Sequence, residues 1–359
     1  MPENPISSFN GPSCPVPLYH KDTIVMGHGS GGKMTQDLIK DVFYPFFDSI
    51  PLREGNDFAR APLPDEAQLK GSLSVSTDCH SVFPIEFPGG DIGKLAVCGT
   101  VNDMSMSGAI PLYLTAGFIL EEGLPIATLQ EIVLSMCAAS KEAGVSIIAG
   151  DTKVVERGKA DGVYITTTGI GWIPESRLIG GQYAQPGDVV LISGYLGDHG
   201  MAVLTARGDL GFEADIQSDV APLNKMIANL ITAAPDTRVL RDPTRGGLAT
   251  TLNEIAQQSQ VGIQLTETAI PIRPVVRTAC EMLGFDPLYV ANEGKLIAIV
   301  PAEQANAALH ALQASPYGSQ AAVIGEVIAQ PQKRVLLRTQ VGTSRILDVH
   351  AGEMLPRIC

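Results

Sequence analysis

Four aspartates stand directly after predicted strands or within glycine-rich turns. They are Asp78 in STDCH, Asp103 in TVNDMSMSG, Asp151 in AGDTKVVERG and Asp242 in RDPTRGG. Carboxylates dispersed in this way are the usual protein ligands of a magnesium ion that neutralises a triphosphate. Each aspartate alone could instead cap a helix or complete a turn, as we expect for Asp91 before a predicted helix. For Asp78 and Asp151 the position favours metal binding.

A glycine-rich stretch, GHGSGGKM at residues 27–34, lies between a predicted strand and a predicted helix. It nearly matches the phosphate-loop pattern G-x-x-x-x-G-K-[ST], but Met34 stands where that pattern needs a hydroxyl for magnesium. Its glycines expose backbone N–H groups that can surround an anion, and Lys33 adds a positive charge. The stretch therefore predicts phosphate binding outside the P-loop class, with a plain flexible turn as the alternative.

A third candidate is Glu293 in ANEGKL, between a turn and a predicted strand. A buried carboxylate at this position could act as a general base. From spacing alone, a surface turn pair of Glu293 and Lys295 is the favoured alternative.

The cysteines contain no C-x-x-C pair, so the sequence predicts neither a zinc clip nor a redox centre. Cys79 and His80 are adjacent on a predicted strand and should point to opposite faces, which excludes a shared metal. Cys359 is the last residue of the sequence, where packing explains least. Its thiol is therefore either without a role or a reactive group that reaches into a pocket.

Composition places the chain among compact globular proteins, with 45% hydrophobic and 18% charged residues. The formal charge of −13 and the lack of a basic cluster argue against nucleic-acid binding. Neither a signal peptide nor a membrane-spanning apolar run is recognisable, so we expect no membrane association and a cytoplasmic protein.

Apolar periodicity divides the chain into two domains. We expect a proline-rich leader at 1–20, an α/β domain at 21–176, an α+β domain at 177–345 and a mobile tail at 346–359. The boundary falls where turn residues accumulate between about 174 and 188. In the second domain we expect a mixed sheet with helices on one face.

The motifs HGSGGK, STD, FPGGDIGKLAVCGTVNDMSMSGA, GFILEEGLP, AGDTKVVERG, SGYLGDHG, RDPTRGGLATTLNEIA, ANEGKL and PRIC follow one another from about residue 22 to residue 359. In this order they resemble the HypE family of hydrogenase maturation factors, of the superfamily of aminoimidazole ribonucleotide synthetase and selenophosphate synthetase. The resemblance implies a two-domain aminoimidazole ribonucleotide synthetase-like fold whose N-terminal α/β domain pairs in a homodimer. It also implies ATP binding without a Walker motif.

The same resemblance implies a reaction. A carbamoyltransferase, HypF, would place a carbamoyl group on the Cys359 thiol, and ATP with Mg²⁺ would drive dehydration of the thiocarboxamide to a thiocyanate. The nitrile would pass to iron held by a HypC–HypD complex, as a cyanide ligand of [NiFe] hydrogenase. Cys359 would be the carrier, Glu293 the base, and Lys153 would stabilise charge or relay protons.

The remaining site residues follow from the resemblance too. Asp78, Asp103 and Asp151 would hold magnesium, while Gly29, Gly31, Gly32 and Lys33 would cover the phosphates. Asp242, Thr244 and Arg245 would complete the nucleotide site. The long leader and the Cys79–His80 pair depart from the family pattern. A P-loop-like NTPase switch and a non-catalytic scaffold with a cysteine docking tail remain as alternatives.

Overall fold

The computed structural model describes residues 22–30, 33–47, 49, 70–208 and 214–349. The predicted leader, Gly31, Gly32 and Cys359 lie outside these residues, and of Lys33 only the backbone is described. Within the described ranges, no helix is long and apolar enough to cross a membrane.

The described α-helices are α1 Lys33–Leu38, α2 Ile92–Met106, α3 Ile126–Ala143, α4 Asp198–Ala206, α5 Asn224–Ala233, α6 Gly247–Ser259, α7 Pro274–Leu283 and α8 Ala305–Gln313. Shorter helical turns are Met26–Gly29, Ile39–Phe43, Glu267–Ala269, Pro287–Tyr289 and Ala302–Gln304. The strands are β1 Gly71–His80, β2 Glu86–Phe87, β3 Gly90–Asp91, β4 Ile110–Glu121, β5 Ser146–Val155, β6 Val163–Pro174, β7 Val189–Ile192, β8 Val239–Arg241, β9 Gly262–Thr266, β10 Ile297–Val300, β11 Ala322–Ile328, β12 Arg334–Arg338 and β13 Ser344–Leu347.

Among the described residues, the first large sheet has four strands in the order β1-β6-β4-β5, of which only β4 and β5 are parallel to each other. Side chains alternate between its two faces. On β6, Thr167 is buried and donates to the Ala96 carbonyl of α2, whereas Thr166 points the other way and is exposed. Helices α2 and α3 pack together on the Thr167 side. One face of this sheet is therefore the core of the first domain.

The other face of this sheet carries exposed apolar side chains. Leu73, Val75 and Ile119 are 55%, 65% and 40% exposed. We call this surface, defined by these three residues and Thr166, the open face. An apolar sheet face of this kind is typical of an interaction surface.

In the described part of the second domain, the large sheet has seven strands in the order β13-β12-β9-β11-β7-β10-β8, of which only β9 and β12 are parallel to each other. The expectation of helices on one face only is wrong. Ile297 and Ile299 pack in the core beneath α6, whereas Ala298 and Val300 pack against α5 and α8 on the other side. All four residues of β10 are therefore buried, which is why its sequence lacks an alternating pattern.

Helix α2 lies between the first sheet and the second domain, and it is hydrophobic on nearly its whole circumference. Of its fifteen residues only Lys94 and Asp103 are not buried. Its N-terminus is capped as expected, because the Asp91 carboxylate accepts from the backbone N–H groups of Gly93 and Lys94 at 2.6 and 2.9 Å. The helix thereby presents Asp103 at the junction of the two domains.

Candidate active site

A cavity of about 490 Å³ lies at this junction. Its lining combines Ser74–Ser76 of β1 and the C-terminal part of α2 with residues between Arg241 and Glu254 of the second domain. Four residues selected from the sequence line it: Asp103, Asp242, Thr244 and Arg245. The structure thus brings carboxylates and a guanidinium from both domains to one cleft.

The carboxyl groups of Asp103 and Asp242 share a hydrogen bond across this cleft. Burial, followed by the nearby charge of Asp103, raises the pKa of Asp242 to about 7. Burial also raises the pKa of Asp103, although the Ser76 hydroxyl donates to its Oδ2 at 2.9 Å. Two acids that share a proton in this way form a position where a cation can replace that proton.

Asp78 lies on β1, on the face that α2 covers, since it pairs with Thr167 of β6. Its negative charge contributes to the raised pKa values of both Asp103 and Glu293. The Nε2 atom of His80 lies 3.5 Å from its Oδ2. Burial lowers the pKa of His80, and the charge of Arg245 acts in the same direction. Cys79 is exposed on the open face while His80 is buried, which confirms that the two cannot share a metal.

Glu293 is 5% exposed, and Lys295 is 7% exposed. The interpretation of these two residues as a surface turn pair is therefore wrong. Burial raises the pKa of Glu293 well above its ordinary value, and the charges of Asp242, Asp219, Asp78 and Asp103 raise it further. A carboxyl group with a raised pKa near other acids is the environment in which general bases and acids occur.

Three loops of the second domain are joined by the buried side chain of Asn292. Its Oδ1 accepts from the Gly197 N–H at 2.7 Å, and its Nδ2 donates to the Pro243 carbonyl at 2.9 Å. The loop after Pro243 requires glycine where α6 begins. Gly247 has φ +60°, and a Cβ there would lie 2.7 Å from the carbonyl oxygens of Leu288 and Val290. Gly247 therefore allows the start of α6 to pack closely against the segment that precedes Glu293.

Asp151 and Lys153 lie elsewhere. Asp151 pairs with Gly117, which pairs with Thr166, so both Asp151 and Lys153 project from the open face. Because β5 is three strands from β1 in the sheet, Asp151 and Asp78 are separated by about 14 Å or more, on opposite faces. The described part of the chain contains no group of three or more His, Cys, Asp or Glu residues that could hold a metal ion. One chain therefore does not unite Asp151 with Asp78 and Asp103.

The described start of the glycine-rich stretch, up to Gly29, lies at the β5 edge that also carries Asp151. Met26–Gly29 forms a short 3₁₀ turn that packs on β5, and a Cβ at Gly29 would lie 2.9 Å from the Val154 backbone nitrogen.

The candidate residues thus fall into two half-sites. The first half-site contains Asp78, Asp103, Asp242, Thr244, Arg245 and Glu293. The second half-site contains Gly29, Asp151 and Lys153.

Two further residues of the first half-site were not predicted from the sequence. Asn102 directly precedes Asp103, and Asp219 lies in a segment without a recognisable motif. Both contact the Glu293 loop. Proximity to Asp103 was the only local signal for Asn102, and Asp219 had none.

Comparison with known proteins agrees with this architecture. Residues 64–173 match the family "AIR synthase related protein, N-terminal domain", and residues 185–338 match "AIR synthase related protein, C-terminal domain". The carbamoyl dehydratase HypE of Cupriavidus necator is 54% identical over 336 residues, which cover 94% of this chain and 95% of that protein.

Solved structures extend the comparison. A crystal structure of the hydrogenase maturation protein HypE in complex with ATP superposes with a TM-score of 0.89 at 50% identity, covering 94% of this chain and 100% of that one. The crystal structure of a HypE–HypF complex contains a chain with a TM-score of 0.76 and 50% identity, covering 87% and 99%. These matches confirm the resemblance drawn from the motifs and the two-domain fold that it implied. The chain therefore belongs to the HypE family of carbamoyl dehydratases, one branch of the AIR synthase-related proteins.

Proposed function

We propose that this protein dehydrates a carbamoyl group carried on the Cys359 thiol to a thiocyanate, at the expense of ATP. The observation that carries the proposal is the acidic first half-site, in which Asp103 and Asp242 from the two domains line one cleft and the buried Glu293 lies within reach of their charges. The names of the relatives, and the ATP complex of one of them, support the same reaction class.

The chemistry needs both a phosphate donor and a base. An amide oxygen is a poor leaving group, so it first attacks the γ-phosphorus of ATP and ADP departs. The C–O bond then breaks, and that oxygen leaves in inorganic phosphate. The nitrogen gives up both its protons, and the thiocarboxamide becomes a thiocyanate. In this proposal Glu293 accepts a proton from the nitrogen, which its burial and its proximity to the cleft carboxylates support.

The donor set of the first half-site fits magnesium. Carboxylate oxygens are hard ligands, and magnesium in nucleotide sites commonly takes one or two protein carboxylates together with phosphate oxygens and water. Asp103 and Asp242 would hold the ion with Asp78 nearby, and the bound ion would neutralise charge on the phosphates. Arg245 and Thr244 line the same cavity and, in this proposal, contact the nucleotide.

The second half-site requires a second copy of the chain in this proposal. Gly29 lies at the β5 edge, and Asp151 and Lys153 project from the sheet face opposite to the one that carries Asp78. The open face has exposed apolar side chains that a homodimer would bury. We infer that one subunit supplies Asp78, Asp103, Asp242 and Glu293, and that the other supplies Asp151, Lys153 and the glycine loop with Gly31, Gly32 and Lys33.

We propose that the length of the tail lets the carrier thiol enter the cleft. The Tyr289 hydroxyl donates to the Asp348 carbonyl at 2.7 Å. Because Tyr289 lies four residues before Glu293 in sequence, this bond ties the start of the tail to the segment that leads to Glu293. Residues 350–359 follow, and ten extended residues span at most about 33–36 Å. This reach is sufficient for a thiol carrier that also visits a carbamoyltransferase.

The partners follow from the same reaction. A relative forms a complex with HypF, and we propose that HypF carbamoylates Cys359 of this chain in the cytoplasm. A HypC–HypD complex would receive the nitrile on iron, where it becomes a cyanide ligand of [NiFe] hydrogenase.

Intact-mass spectrometry tests the proposal directly. The protein is incubated with HypF, carbamoyl phosphate and ATP, and the C-terminal peptide is then sequenced by mass spectrometry. We expect addition of one carbamoyl group at Cys359, followed by loss of one water that requires ATP. A scaffold would show neither change, and ATP hydrolysis without any mass change on the peptide would favour an NTPase switch.

A further inference from the structure

The backbone of Glu293 is held by two buried side chains. Its N–H donates to Oδ1 of Asp219 at 3.0 Å, and its carbonyl accepts from Nδ2 of Asn102 at 3.2 Å. Glu293 belongs to neither a helix nor a strand. The position of its peptide groups is therefore set by side chains rather than by a secondary-structure ladder.

Asn102 uses its whole amide for contacts with the second domain. Besides the Glu293 carbonyl, its Nδ2 donates to the Ala221 carbonyl at 3.0 Å, and its Oδ1 accepts from the Leu223 N–H at 2.8 Å. It is 1% exposed. Because Asn102 directly precedes Asp103 on α2, one turn of this helix contacts both the nucleotide cleft and the backbone of Glu293.

Asp219 holds the N–H group of Glu293, whereas Asn102 holds its carbonyl group. Its Oδ2 forms an ion pair with Nζ of Lys295 at 3.1 Å, and both side chains are almost fully buried. Burial alone would raise the pKa of Asp219, but the charges of Lys295 and His199 hold it below its ordinary value. The segment also lies very close to the Glu293 loop, since a Cβ at Gly294 would overlap the Asp219 carbonyl. Asp219 is therefore an ionised acceptor fixed against that loop.

We propose that Asn102 and Asp219 are positioning residues, which hold Glu293 at the place where it accepts the proton of the thiocarboxamide. The inference rests on the proposed function of Glu293. It assigns the two residues to the dehydration step rather than to nucleotide binding. It also links the two domains, because the position of Glu293 depends on a side chain of α2.

The rest of the loop has separate anchors, so the loss of either residue should displace Glu293 without unfolding the domain. The Leu296 N–H donates to the Ser193 hydroxyl at 3.0 Å, and the Ser193 N–H donates to the Leu296 carbonyl at 3.0 Å. Asn292 is held independently by Gly197 and Pro243. Glu293 lies between these two anchored points.

The test compares Asn102→Ala and Asp219→Ala with Asn224→Ala. Asn224 is a matched control, because its Nδ2 also joins the two domains, donating to the Ala143 carbonyl at 2.7 Å without contacting the Glu293 loop. With protein carbamoylated beforehand, we expect the rate of water loss at saturating ATP to fall about 10- to 100-fold in the first two variants. The KM for ATP should stay within about threefold, and the control should keep the wild-type rate.

Two additional variants keep the test decisive. Asp219→Asn retains an oxygen that can accept from the Glu293 N–H, so it should recover much of the rate lost in Asp219→Ala. If Asp219→Ala fails to fold because Lys295 is left unpaired, the double variant Asp219→Ala/Lys295→Met is measured instead, since it also removes the unpaired buried charge.

Hydrogen exchange supplies a readout besides activity. In the absence of ATP, the Glu293 amide should exchange faster in the Asp219→Ala protein, and the surrounding peptide should exchange faster in Asn102→Ala, with no change in Asn224→Ala. If both variants match the control in rate and exchange, the inference is wrong. If Glu293→Gln itself dehydrates normally, the proposed base is wrong instead. Faster hydrogen exchange in Asp219→Ala and Asn102→Ala would then still show that these two residues hold the Glu293 backbone.

Discussion

Asp103 and Asp242 come from different domains, yet their carboxyl groups share one hydrogen bond. In the unfolded chain Asp242 ionises near the ordinary aspartate pKa of 3.8, whereas burial and the charge of Asp103 raise its pKa to about 7 in the folded protein. Between these pH values the folded state keeps a proton that the unfolded state has lost. The contribution of this pair to stability is therefore present at low pH and is lost as the pH rises toward 7.

Magnesium should reverse this loss, because the cation can replace the shared proton. We expect added Mg²⁺ to raise the thermal midpoint of unfolding more at pH 8 than at pH 5. Differential scanning fluorimetry at both pH values checks this. In Asp242→Asn the pH dependence of the magnesium effect should largely disappear. An equal effect of Mg²⁺ at both pH values in the wild-type protein would contradict the assignment of this pair to the metal.

Asp78→Asn should weaken binding of magnesium-ATP by at least about tenfold while the protein stays folded, because the charge of one carboxylate near the phosphates is lost. Asp215→Asn is a matched control, since it removes one negative charge from an exposed position of the second domain. Isothermal titration calorimetry gives both affinities. Unchanged ATP affinity in folded Asp78→Asn would remove this residue from the site.

Glu293→Gln should bind ATP but fail to convert the thiocarboxamide, since an amide preserves the shape of the side chain and cannot accept the proton. The carbamoylated protein should accumulate in the intact-mass assay. Because burial raises the pKa of Glu293, the wild-type rate should rise with pH at values above the ordinary glutamate range. Normal water loss by the variant would exclude Glu293 as the essential base.

Local features of the site could be predicted from the sequence, whereas its assembly could not. Alternation along STDCH predicts that Cys79 and His80 face opposite sides, and the position of Asp91 predicts a helix cap; the structure confirms both. The backbone of Glu293 is held by a hydrogen bond to Asp219, and no local sequence pattern distinguishes Asp219 from an ordinary loop residue. The apolar run of β10 gives no sign that helices cover both sides of its sheet. Contacts between distant segments leave little trace in a single sequence.

The two half-sites predict complementation between inactive subunits. If Lys153 and Glu293 act together from different subunits, a heterodimer of Lys153→Ala and Glu293→Gln chains contains one intact site. We expect such heterodimers, purified with two affinity tags, to recover up to about half of the wild-type rate of water loss. Heterodimers of Asp78→Asn and Glu293→Gln serve as the control, because both residues belong to the first half-site and no intact site can form. Recovery in neither mixture would place Lys153 and Glu293 in the same chain or outside a shared site.

Cys359→Ala should abolish both mass changes of the C-terminal peptide while leaving ATP affinity nearly unchanged. A terminal residue contributes little packing, so the free energy of unfolding should shift by no more than about 0.5 kcal/mol. The thiol is required because sulfur is nucleophilic enough to take the carbamoyl group and a good enough leaving group to release the nitrile. Cys359→Ser should therefore also fail to deliver the nitrile.

A second thiol provides the control for this last variant. Cys79 is exposed in the single chain and lies outside the tail, so Cys79→Ala removes a second thiol without touching the carrier, and it should retain both mass changes. One residue added after Cys359 should slow the dehydration, because the added residue must be accommodated where the sulfur meets the γ-phosphate and can displace it by up to about 3.5 Å. Intact-mass measurement of both cysteine variants shows which residue carries the carbamoyl group. A carbamoyl gain followed by water loss in Cys359→Ala would show that another residue carries the group.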